Sequence, residues 1–166
     1  MQAIYYFNAI SNNGSFDEGT GYETSKIVDG NNATYGRDNN DGHYCTCTGN
    51  TCSGEKIGPI VKVEIGFLWS NNNTLTNIKG RITPYFGGSS AGDNHDATVD
   101  PSSESNFIWE DFDITNDTNA PAEWIWDDIV ALDVRLTTVR GSTGRWNPAN
   151  VRIKVTYNIP SFCFVI

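Results

Sequence analysis

Asp29-Gly30-Asn31-Asn32-Ala33-Thr34 sets a carboxylate, two amide carbonyls and a hydroxyl on a short segment built from turn-forming residues. Such a turn folds back on itself and can aim side-chain and main-chain oxygens at one hard cation, the ligand type that Ca2+ takes. Asp29, Asn31 and Thr34 are therefore the candidate metal ligands. The ion would be structural, holding the first loop to the body of the domain. The competing reading is a turn closed by Asx hydrogen bonds alone.

Cysteine chemistry is the second possibility. Cys45, Cys47 and Cys52 lie close together and Cys163 near the C-terminus. Cys45 and Cys47, two apart on a strand, are expected to face opposite ways and not to pair with each other. The expected pattern joins one of them to Cys52 and the other to Cys163, clamping the C-terminus to an early loop. Zinc held by His43, Cys45, Cys47 and Cys52 competes with this, but the Cys-x-Cys spacing fits structural zinc pairs poorly. Free thiols are the remaining reading.

Trp109, Trp124, Trp126 and Trp146 can be read as an aromatic platform for a sugar ring, with Asn and Asp side chains bonding its hydroxyls. Trp146, in a Gly-rich loop, is expected to be exposed. Trp124 and Trp126 bracket a turn that caps the core, and Trp109 lies within a strand, so core filling competes. The loop Asp93-Asn94-His95-Asp96 is polar and reads as solvated, transition-metal binding being the alternative. The two histidines, His43 and His95, belong to no nucleophile or metallohydrolase motif. Neighbouring carboxylates such as Glu110 and Asp111 face opposite sides of a strand and make poor acid/base pairs. No enzyme activity is expected.

The composition narrows the partners. The 166 residues fit one domain, and 11 Lys+Arg against 20 Asp+Glu give a formal net charge of -9. A phosphate backbone would repel that surface, as would an anionic bilayer. No apolar run reaches the roughly 20 residues that span a bilayer. No signal peptide is visible at the start. Sequons at Asn13, Asn32, Asn72 and Asn116 are weak signals in an Asn- and Thr-rich chain.

Alternation of apolar and polar residues supplies the elements that must position these groups. Strands are expected near residues 1–10, 60–69, 78–86, 107–115, 131–139 and 151–157, with one helical turn around 123–130 and a short final strand over 161–166. The long stretch 36–56 reads as a loop tied down by its cysteines. The strands at 131–139 and 151–157 are expected to pair as a hairpin. Short strands separated by Gly/Asn/Asp turns make an all-β, antiparallel jelly-roll β-sandwich in a single domain.

Two stretches carry resemblances. Ile27 to Tyr35 is similar to the Asp-Gly-Asn-x-x-Thr-aromatic segment near the start of discoidin-like, galactose-binding-type β-sandwiches, where the turn often holds a structural calcium ion. Ala122 to Val134 resembles a Trp-x-x-x-(Asp/Glu)-(Ile/Val)-x-x-Leu segment before the final hairpin of β-sandwich proteins from phage particles and microbial surfaces. The second likeness implies an outward-facing structural role.

The apolar ends add to that picture. Ile4 and Tyr6 at one end, and Phe162 and Phe164 at the other, are candidates for pairing with neighbouring subunits by strand exchange. The leading expectation is a non-catalytic subunit of an extracellular or virion surface assembly, a homo-oligomer or polymer. The alternative is a calcium-stabilised glycan-binding module using Trp146, Trp124 and Trp126.

Overall fold

The structure is a computed structural model that describes residues 1–12, 16, 21–54, 58–101 and 103–159. Among the described residues nine antiparallel strands carry the fold: β1 (Gln2–Asn12), β2 (Tyr44–Asn50), β3 (Ile60–Asn71), β4 (Ile78–Phe86), β5 (Ser90–Ala91), β6 (His95–Asp96), β7 (Ile108–Asp113), β8 (Asp133–Arg140) and β9 (Trp146–Tyr157). A 3-10 turn spans Thr24–Ile27, and one short helix, α1, spans Trp126–Val130. Asp128 closes the start of α1 by accepting the Ile125 N–H at 2.9 Å.

The strand order is β5-β4-β8-β2-β1-β9-β3-β7, with β6 also on β4. β1 is the bend in this path. Its first part, Gln2 to Tyr6, pairs with β9, while Phe7 to Asn12 pairs with β2. The front layer is thus β1-β9-β3-β7 and the back layer β1-β2-β8-β4 with its small hairpin strands. Each layer turns alternate residues inward, the period of a pleated strand. Val63, Ile65, Phe67, Trp69, Val151, Ile153 and Val155 from the front meet Cys45, Cys47, Ile78, Ile82, Val134 and Leu136 from the back, all essentially without exposure. Each such side chain contributes about 1.5–3 kcal/mol by burial.

The jelly-roll sandwich is the architecture expected, and several elements sit where alternation places them. Others differ for physical reasons. The stretch 36–56 contains β2, a strand in the middle of the back layer, between β1 and β8. Cys45 and Cys47 share its inward face, as residues two apart on a strand must. Cys47 and Cys52 are free thiols, so the expected bond from Cys52 to a neighbouring cysteine is absent. These cysteines act as small core residues instead. Cys163, Phe162, Phe164 and the expected final strand lie outside the described residues. The expected β8–β9 hairpin does not form: β8 pairs with β2 and β4 in the back layer, β9 with β1 and β3 in the front. The connection crosses between layers, because both strands have an inward apolar row and each needs a facing layer to bury it.

Trp146 corrects a further expectation. It starts β9, is fully buried, and sits edge-on to Phe16 and Phe67 at 5.9 and 5.8 Å. Gly80 on β4 makes this possible, since a Cβ there would strike the indole ring. Trp124 and Trp126 are also buried. Their indole N–H groups donate to main-chain carbonyls of Thr115 and Gly58 at 3.0 and 2.9 Å. All three fill the interior, so none of them offers a flat face to a sugar.

Candidate functional site on the front sheet

The outward faces of the front strands carry polar and aromatic groups in register. Tyr6, Arg152, Gly66 and Asp111 form one row across β1, β9, β3 and β7. Ile4, Lys154, Glu64 and Asp113 form the next. Asn150, Leu68 and Trp109 form a third. Gly66 is the key to the middle row. Any Cβ there would collide with the Asp111 carboxylate, so the glycine lets Arg152 and Asp111 meet above the sheet. Arg152 donates to both Asp111 oxygens, at 2.9 and 2.7 Å. This two-pronged contact is the strong geometry for a guanidinium and a carboxylate.

The same guanidinium lies 3.8 Å from the centre of the Trp109 ring, a cation–π contact. Tyr6 packs against that indole at 6.4 Å with a tilt of 58°. Tyr6 is 37% exposed and Trp109 half-buried, so the pair is surface aromatic rather than core. The charges around it balance. Arg152, Lys154 and Lys62 answer Asp111, Glu64 and Asp113 in a chain of ion pairs from 2.7 to 3.6 Å. Burial raises the Asp111 carboxyl, but Arg152 and then Lys154 outweigh it and hold the group below the usual carboxylate range.

Beside this platform runs a groove of about 450 Å³ lined by Tyr6, Asn8, Asp29, Asn32, Thr51 and Asn150 among others. That volume lies within the range of small-ligand sites. Its far wall is the Asp-Gly-Asn turn. The Asn31 N–H donates to Asp29 Oδ1 at 2.8 Å and the Ala33 N–H to Asn31 Oδ1 at 3.0 Å, two successive Asx turns. Thr34 Oγ1 lies 2.6 Å from Asp29 Oδ2 and 2.9 Å from the Asn31 carbonyl. Asn150 fastens the turn to β9 by donating to Asn32 Oδ1 at 2.9 Å. Asp29, Asn31 and Thr34 do converge, and hydrogen bonds within the turn already satisfy much of their capacity.

Other candidates disperse. His43 contacts Asp38 at 3.1 Å and His95 contacts Asp117 at 2.8 Å. Asp93, Asn94 and Asp96 bond Thr118, Thr83 and Arg81 respectively, so that loop fans outward instead of converging. Among the described residues no group of three His, Cys, Asp or Glu side chains is placed to hold a metal. Ile4 and Tyr6 lie on β1, paired with β9 of their own sheet, and Tyr6 turns out to line the groove.

No family model matches the chain, and no curated protein matches it. Among solved structures it is similar to a truncated AlyQ with CBM32 and alginate lyase domains, at TM-score 0.53 and 15% identity over 98% of this chain. The chain spans only 36% of that protein's length. It is also similar to the CBM32 of AlyQ in complex with 4,5-unsaturated mannuronic acid (TM-score 0.47, 17% identity, 95% of this chain and 99% of that one). A third is CBM6cm-2 from Cellvibrio mixtus lichenase 5A in complex with cellotriose (TM-score 0.44, 13% identity, 91% and 99%). The first of these likenesses establishes the fold, a jelly-roll β-sandwich.

Proposed function

We propose that this chain is a carbohydrate-binding module, without catalytic activity, whose front sheet binds a neutral saccharide. The observation that carries the reading is the Tyr6–Trp109 pair beside an amide-lined groove, with Arg152 and Asp111 locked together next to it. A sugar presents apolar C–H faces and hydroxyl edges. The aromatic pair meets the former, while Asn8, Asn32 and Thr51 meet the latter. Because cations and carboxylates alternate and pair on this face, it has little pull on a charged ligand. The fold supports the reading, since the solved structure it resembles at TM-score 0.53 contains a CBM32 domain beside its alginate lyase domain. An assembly subunit has less behind it, because Tyr6 and the groove give the N-terminal strand a role inside its own domain.

We also propose that a Ca2+ ion sits in the turn, held by Asp29, Asn31 and Thr34 with main-chain oxygens and water. The hard-oxygen donor set fits such an ion. Its effect would be to stiffen the groove wall formed by Asp29, Gly30 and Asn32.

The test is titration with a panel of neutral oligosaccharides, followed by NMR and calorimetry. Chemical shifts should move at Tyr6, Trp109 and Asn150, and Trp109→Ala should weaken binding at least about tenfold without unfolding the protein. A panel that binds nowhere, or that binds equally well to Trp109→Ala, would overturn the reading.

A further inference from the structure

The outer face of the back sheet holds an arginine of a different kind. Arg135 projects outward from β8, with Thr46 of β2 and Thr83 of β4 directly opposite in register. Its guanidinium carbon lies 4.3 Å from the centre of the Tyr44 ring and 4.8 Å from that of Tyr85. The group is thus clamped between two half-buried phenol rings, one on each neighbouring strand. Arg37, Arg81 and Arg152 each bond a carboxylate, namely Glu104, Asp96 and Asp111. Among the described residues Arg135 has no carboxylate partner, and its buried Nε–H finds no acceptor.

That combination is costly unless something completes it. A partly desolvated guanidinium gains from stacking on rings, but its N–H donors lie in the guanidinium plane and need acceptors there. Stacking fixes that plane while leaving its edge for a bidentate oxyanion. Lys79, Arg81 and Arg135 share this face with Asp96, Asp133 and, near Arg81, Asp41, and Asp96 is already held by the first two. Burial pushes the Asp133 carboxyl up, which reduces its opposition to an incoming anion. The two phenol rings and the hydroxyls of Thr46 and Thr137 then suit the C–H faces and hydroxyls that a sugar carries alongside its acid group.

We propose that the Tyr44–Arg135–Tyr85 array is a second subsite, on the opposite face of the sandwich, for a carboxylate-bearing saccharide. It extends the carbohydrate reading to a charged ligand and does not depend on the front face. The experiment compares a hexuronate oligosaccharide with the neutral hexose oligosaccharide of the same linkage, using side-chain and main-chain NMR of the full chain. The uronate should shift the Arg135 Nε–H signal and those of Tyr44 and Tyr85, and added salt should weaken it. Arg135→Ala should lose uronate binding by about tenfold or more. Arg135→Lys, which keeps the charge but not the planar fork, should recover only part of it. Trp109→Ala should leave this binding unchanged.

Uronate shifts confined to Tyr6 and Trp109, no shift at Arg135, or full binding by Arg135→Ala would each overturn the proposal. If Arg135→Ala unfolds, Tyr44→Leu and Tyr85→Leu, which remove one ring each, must still lower uronate affinity. Failure of both to do so overturns it as well. If the neutral sugar binds nowhere while the uronate still shifts Arg135, the front-face reading fails and this one stands.

Discussion

The two outer faces of the sandwich use the same pair of ingredients, an arginine and aromatic rings, with opposite outcomes. On the front, Arg152 stacks on Trp109 and also grips Asp111, so the charge is spent inside the protein. On the back, Arg135 stacks between Tyr44 and Tyr85 and, among the described residues, grips no carboxylate. The difference traces to one residue across the register. Gly66 opposite Arg152 leaves room for a carboxylate from the next strand to reach over, whereas Thr46 and Thr83 flank Arg135 with hydroxyls. A glycine in a strand therefore decides whether a surface arginine is neutralised or presented.

The largest expected effect comes from a substitution that serves both faces. Trp146→Ala empties the centre of the core and should cost about 3–5 kcal/mol in urea unfolding. Sugar binding on both faces should fall together as the protein loosens. Loss on one face only would show that the faces do not share this support.

Gly66→Ala should separate them. The added Cβ collides with Asp111 and the Glu110 carbonyl, so a cost of about 1–3 kcal/mol is expected from overpacking. Neutral-sugar binding should drop with it while uronate binding on the back persists. Equal losses would break the contrast between the faces.

Asp111→Asn sharpens it further. Asp111 is held below the usual carboxylate range in the folded chain, so its stabilisation is present above its unfolded value, near pH 3.9, and is lost as pH falls through the folded value. The variant should be weaker than the parent by about 1–2 kcal/mol at pH 7. That gap should close on acidification, as read by denaturant melts at a series of pH values. The variant also leaves Arg152 without its main counter-charge, so the front face should begin to accept uronates.

The smallest effect belongs to the groove wall. Added Ca2+ should raise the thermal midpoint by a few degrees, about 1 kcal/mol, and Asp29→Ala should abolish the increment. An unchanged midpoint in the parent protein would remove the ion from the account.

Much of the sandwich was legible because buried strands must alternate. Val63-Glu64-Ile65 and Val151-Arg152-Ile153 state their two faces plainly. What the pattern does not state is which strand lies beside which, and the β8–β9 hairpin was misread for that reason. The front site suffered most. Tyr6, Trp109 and Arg152 come from the first strand, the seventh and the last, and only the sheet order gathers them. One signal was available: Trp109 shares the parity of Asp111 and Asp113, opposite to buried Ile114, which places it outward. Trp146 misled in the other direction. Its Gly-rich flank suggested a loop, but Gly80, far away in sequence, provides the slot that buries it. The Asp29–Thr34 turn was readable because Asx turns are local chemistry.

The bend at β1 has a bearing on how the chain is born. β9, in the middle of the front layer, is the last of the described strands to leave a ribosome, and β1, the first, cannot close that layer until it arrives. The partners β2, β4 and β8 of the back layer are already in hand by residue 140. Pairing across such a span is slow, since chain ends must find each other before any contact is gained. A nascent chain stalled before β9 would thus carry the layer of Arg135 while the row of Tyr6, Gly66 and Asp111 was still missing a strand.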